Sequence, residues 1–101
     1  MHPDDDRANV AREERIQLVL AYLVESDSAL PPAAIFRNLK LRGATFERRS
    51  VTTFLAELHE RGLVQKVDMD ALDEGRIEVV DTDEQGYWMA TDEGIDAVAS
   101  R

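Results

Sequence analysis

Ser50-Val51-Thr52-Thr53-Phe54-Leu55-Ala56-Glu57-Leu58-His59-Glu60-Arg61-Gly62-Leu63-Val64 is the stretch on which the reading of the whole chain turns. Val51, Leu55 and Leu58 recur at i, i+4 and i+7 with Phe54 beside them, which draws an apolar stripe along one side of a helix. Thr45 stands where an N-cap is expected, and Gly62 supplies a stop. Leu63 and Val64 then lead the chain back toward a core. With Val51 turned inward, Arg49 and Thr53 lie nearly opposite it, and Arg48 and Thr52 occupy the adjoining flank. The helix therefore has an oily inner side and a cationic, hydroxylated outer side.

Upstream, Pro31 and Pro32 suit the first turn of a helix over 32–41. Ile35, Phe36 and Leu39 would face inward and Arg37 and Lys40 outward, with Arg42 at the exit and Gly43 as a left-handed stop. Before Ser26, Asp27 and Ser28 break the pattern, Ile16, Val19, Leu20 and Leu23 fall at i, i+3, i+4 and i+7 and mark a first helix ending near Glu25. Residues 1–8 are polar and acidic and read as a flexible tail, leaving 9–101 as the folded domain. Leu18 and Tyr22 lie roughly opposite the core stripe of the first helix, which implies a second contact surface.

Downstream of Val64 the period changes, and β-favouring residues cluster in 63–67, 76–80 and 87–90. The turn-forming run Asp81-Thr82-Asp83-Glu84-Gln85-Gly86 would join the last two as a hairpin, and 68–75 is a polar insertion with room for one helical turn. Thr91 is an N-cap followed by Asp92 and Glu93, where a helix dipole favours negative charge. Ile95, Val98 and Ala99 form a short last stripe. The expected fold class is α+β, mainly α: three helices, a β-hairpin and a short C-terminal helix.

That order resembles the winged helix-turn-helix family. The quoted stretch looks like the family's recognition helix, with its Leu-x-x-Leu pair at Leu55 and Leu58 and its Gly-Leu-Val exit. Met89-Ala90-Thr91-Asp92-Glu93-Gly94 is similar to the segment that closes the wing. The likeness spans about Ile16 to Ile95 and is nearest in style to small MarR-like and phage-repressor-like regulators of salt-loving archaea. It implies a sequence-specific regulator of transcription, a repressor, that binds double-stranded DNA as a homodimer with its third helix in the major groove. Arg48, Arg49, Thr52 and Thr53 would then meet the bases, arginine pairing with guanine and threonine touching a thymine methyl or a phosphate. Arg37, Lys40 and Arg42 would meet the backbone. Arg76 is the candidate wing contact. Leu18 and Tyr22, with Ile95 and Val98 of the last helix, would form the dimer surface.

Composition sets the boundaries of this reading. A chain of 101 residues, 44% apolar and 33% charged, suits one globular domain and excludes wholesale disorder, and with no cysteine it excludes a disulfide scaffold. Twelve basic against 21 acidic residues give a net charge of −9, the wrong sign for a simple nucleic-acid binder. Ten of the twelve basic residues are arginine, and the pervasive acidity resembles that of proteins from nearly salt-saturated cytoplasm. There the Debye length shrinks to about 3 Å at 1 M from about 10 Å at 0.1 M, so only local charge acts on a distant anion. Between Ala33 and Ala56 five basic residues face the single acid Glu47, a local charge of +4 that leaves −13 for the rest of the chain. The acidic turn at Asp81, Asp83 and Glu84 runs the other way, since phosphates repel it. It keeps open the alternative of a winged helix protein-interaction module without DNA contact.

No apolar run approaches the roughly 20 residues of a membrane span, and the acidic start is unlike a signal peptide, so a cytoplasmic protein is expected. No enzymatic constellation stands out: His2 and His59 lie far apart without ligand-spaced partners, and His59 suits the C-terminal end of its helix dipole. No cofactor or metal is expected. Asp81, Asp83, Gly86 and Asp92 echo a calcium loop, but strand-like sequence flanks it where helices are needed. Trp88 reads as a residue packed on the domain, with an effector pocket as the open alternative and no effector indicated.

Overall fold

The computed structural model describes residues 3–100 and contains five helices and one two-stranded antiparallel sheet. In chain order these are α1 (Pro3–Ser26), α2 (Pro32–Leu41), α3 (Arg48–Glu60), β1 (Val64–Val67), α4 (Met69–Asp73), β2 (Tyr87–Ala90) and α5 (Asp92–Ala99). None of the described helices is long and apolar enough to cross a membrane.

Helix α1 runs through the middle of the domain and touches α2, α3, α5 and β2. Its buried residues are Ile16, Val19, Leu20, Tyr22 and Leu23, a wider arc than a helix laid on a single neighbour would need. Tyr22, expected on an outer contact surface, is therefore a core residue, with the Arg42 guanidinium 5.0 Å from its ring centre. The helix also starts at Pro3, well ahead of the expected position, because proline suits a first helical position where no amide donor is required. Most of the stretch read as a tail thus continues the helix, while Met1 and His2 lie outside the described residues.

Helices α2 and α3 begin and end for separate reasons. Pro31 and Pro32 open α2 without a side-chain cap. Gly43 and Gly62, at φ +96° and +76°, stop α2 and α3 in the left-handed conformation. In each case the following amide reaches back, Ala44 to the Leu39 carbonyl and Leu63 to the Leu58 carbonyl, both at 3.0 Å. Thr45 is not the N-cap of α3. That position belongs to Glu47, extended and without a side-chain bond; Phe46 before it is buried against Phe54, ring centres 5.5 Å apart and edge-on, and the helix starts only after this anchor.

Strand β1 pairs with β2 from Val64↔Ala90 to Val67↔Tyr87, burying Val64, Trp88 and Ala90 on the core side, while Val67 is buried on the other face. The hairpin expected between 76–80 and 87–90 does not form. A strand has two hydrogen-bonding edges, and β2 uses one for β1 and the other for Leu30, whose amide and carbonyl both bond Trp88 at 2.8 Å. Residues 76–80 find only the end of β1, through the Val67↔Val79 bridge, and leave Ile77 and Val79 exposed. The polar insertion does hold a helical turn, α4, whose N-cap Asp68 accepts a bond from the Ala71 amide at 2.8 Å.

One clamp fastens α1 to α3. Arg61 donates two bonds to the Glu13 carboxylate, at 2.7 and 2.8 Å, and one to Glu57 at 3.2 Å. These bonds, with help from Gln17, hold the Glu13 carboxyl down to about 2. A depressed carboxyl stabilises the fold fully above its unfolded value near 4.5 and loses that contribution as pH falls toward 2. The pair is partly exposed, so its worth is about 1 kcal/mol at most. Melting temperatures measured from pH 5 to 2 should fall more steeply for the wild type than for Glu13→Gln; parallel curves would show that the clamp contributes nothing.

Candidate nucleic-acid interface

The two sides of α3 divide as their periodicity requires. Val51, Phe54, Leu55 and Leu58 are buried, and Arg48, Arg49, Thr52 and Thr53 are exposed. Ala56 is exposed one turn beyond Thr52, so Arg49, Thr52, Thr53 and Ala56 fall on one outward stripe at i, i+3, i+4 and i+7. Ala56 was missed in the sequence because it carries neither charge nor hydroxyl. Its value there is that a methyl group lets another surface approach the helix closely. Glu60 lies further along the same side, which leaves the N-terminal turns as the cationic part.

The arginines at this end are held loosely. Arg49 Nε sits 3.0 Å from Glu47, but the two side chains are 89% and 71% exposed, and such a pair is worth about 0–1 kcal/mol in water. A phosphate or a guanine edge can replace Glu47 at little cost. Arg48 has no carboxylate ion pair among the described residues, and with Glu47, Arg49 and Thr52 it lines a shallow surface hollow. The Thr53 hydroxyl donates to the Arg49 carbonyl at 3.3 Å, a long bond that leaves its lone pairs and methyl facing outward.

On α2, Arg37 and Lys40 are exposed, Lys40 lying 5.9 Å from the Phe36 ring centre. Arg42 is otherwise engaged. It makes a two-pronged bond to Glu25, at 2.8 and 3.0 Å, that raises its own basicity and lowers the Glu25 carboxyl, and it lies over Tyr22. Its two-pronged bond joins α2 to the end of α1, a tether that the singly paired Arg49 lacks. Arg76 is likewise tied to Glu74, with Glu78 at 3.5 Å, and its basicity is raised by the Glu74 bond. Its side chain is 59% exposed, so these pairs too are weak in water.

Elsewhere the expected sites fare unevenly. Leu18 and Ile95 are exposed at 50% and 43%, whereas Val98 packs against the core together with Tyr22. Trp88 is buried, edge-on to His59 at 6.0 Å and with the Lys66 ammonium 5.5 Å from its ring centre. Lys66 also donates to the Thr82 carbonyl at 2.9 Å, tying the connection 68–86 to the sheet. Asp81, Asp83 and Glu84 are exposed, and among the described residues no cluster of His, Asp or Glu is arranged to hold a metal ion. With the geometry in view, comparison with protein families, with curated proteins and with solved structures gave no match.

Proposed function

We propose that the chain is a sequence-specific DNA-binding transcription regulator of the winged helix-turn-helix type, a repressor that acts as a homodimer and reads the major groove with α3. The observation that carries this reading is the outer side of α3: Arg48, Arg49, Thr52 and Thr53 exposed together on a helix whose inner side is locked into the core. An arginine on a fixed helix can meet guanine in two-pronged fashion, and α2 with Arg37 and Lys40 precedes it as the backbone-facing partner. The order α2, α3, β1, connection 68–86 and β2 supports the same assignment, with that connection as the wing. Leu18 on α1 remains as the exposed apolar residue for pairing of two copies, while Ile95 on α5 lines a separate groove.

A second reading, a winged helix that binds proteins and not DNA, is favoured by one specific observation. The connection presents Asp81, Asp83 and Glu84 to solvent while its arginine is paired with Glu74 and Glu78. Footprinting of the DNA flanking the protein's own gene, in molar potassium chloride, separates the two. The DNA reading predicts two protected half-sites about 10 base pairs apart or a multiple of that, with Leu18→Glu weakening protection of both by uncoupling the copies. No protection at any concentration would favour the protein-binding reading.

A further inference from the structure

A second surface lies away from the outer side of α3 and shares none of its arginines or threonines. It is a groove of about 520 Å³ between the end of α1, the start of α5 and the outer side of the sheet. Its less exposed lining includes Leu23, Val24, Met89 and Ala90. Its exposed lining sets the apolar Ile77 and Ile95, 60% and 43% exposed, beside the acidic Asp27, Asp92 and Glu93 and the neutral Ser28. Among the described residues no lysine or arginine lines it, and the neighbouring Arg76 is paired with Glu74 and Glu78.

Isoleucines left open to water beside an apolar floor gain on being covered, at about 25 cal/mol per Å² of apolar area removed. Three carboxylates around that floor select the sign of what covers it. An acidic segment would be repelled, and a neutral one would gain nothing from the carboxylates. From this charge and apolar pattern we infer that the groove is a docking site for a basic amphipathic segment of a partner protein, one that seats an apolar side chain between Ile77 and Ile95 and sets arginine or lysine against Asp27, Asp92 and Glu93. The surface would let the domain hold a protein partner and a duplex together, since the two faces have opposite charge.

The test is to pan a random twelve-residue displayed peptide library against the whole protein, then measure enriched peptides by fluorescence anisotropy. Enriched sequences should carry two or more arginines or lysines around an aliphatic or aromatic residue. Binding should weaken at least tenfold on Ile77→Asp, which alters an exposed residue outside the helices and strands. It should weaken several-fold on the double change Asp27→Asn with Asp92→Asn, and asparagine tolerates the φ of +50° found at residue 27. The charge-dependent part should shrink in molar salt while the Ile77 effect persists. Arg48→Ala with Arg49→Ala should leave peptide binding unchanged, so failure here and failure of the DNA reading are separable. No enrichment, an acidic or uncharged consensus, or affinity indifferent to the groove variants would overturn the inference.

Discussion

Replacing Arg48 and Arg49 together by alanine is expected to abolish preference for the operator over random duplex while leaving the fold intact. Each two-pronged arginine–guanine contact contributes about 1–3 kcal/mol of discrimination, roughly ten- to more than a hundredfold, and loss of both leaves chiefly the backbone contacts, which are blind to sequence. Stability should change by about 0.5 kcal/mol or less, because both side chains are exposed. Competition gel shifts with specific and scrambled duplex measure the first effect, and thermal melts the second. Arg42→Ala provides the contrast. Its guanidinium is occupied by Glu25 and Tyr22, so that change should act on the α1–α2 junction and leave operator preference nearly as it was. Retained preference in the double variant, or its loss in Arg42→Ala alone, would mean that the reading face has been misplaced.

The largest stability effect is expected at a glycine, with a sign opposite to helix propensity. Gly94 lies in the first half of α5, where alanine would ordinarily gain about 0.5–1 kcal/mol. A Cβ at this position would stand 2.1 Å from the Leu63 carbonyl oxygen and 3.2 Å from a Leu20 methyl. The backbone cannot step aside. Thr91 donates its hydroxyl to the Gly62 carbonyl at 2.7 Å and its amide to the Leu63 carbonyl at 3.0 Å, and it caps α5 by accepting from the Gly94 amide at 3.1 Å. Alanine must therefore break this junction or strain it, at about 1–3 kcal/mol or more. For a domain of this size that lowers the melting temperature by roughly 5–20 °C. A melt of Gly94→Ala at or above wild type would show that α5 docks on the exit of α3 more loosely than described.

The sequence made legible what depends on local punctuation and on the 3.6-residue period. Pro32 and Gly43 bracket α2 and Gly62 ends α3 as expected, the cap at Thr91 stands where it was expected, and burial of Val51 forces Thr52 and Thr53 outward. What the sequence hid depends on partners far along the chain. Tyr22 reads as surface only if α1 has a single neighbour, and α2, α3, α5 and β2 all touch it. The 76–80 stretch reads as half of a hairpin until Leu30 and β1 have filled both edges of β2. Arg42 and Arg76 read as free cations until Glu25, Glu74 and Glu78 are seen to hold them. The groove beside Ile77 and Ile95 was invisible for the same reason, because its lining comes from α1, the connection, the sheet and α5 at once.

The central claim, that the outer side of α3 meets a duplex, is tested most directly by following backbone amide resonances of the whole protein as duplex DNA carrying the footprinted site is added. Shifts should concentrate at Arg48, Arg49, Thr52, Thr53 and Ala56, with smaller ones at Arg37 and Lys40 and none at Ile95. Shifts centred on α5 and the groove, or a spectrum that does not move, would contradict it.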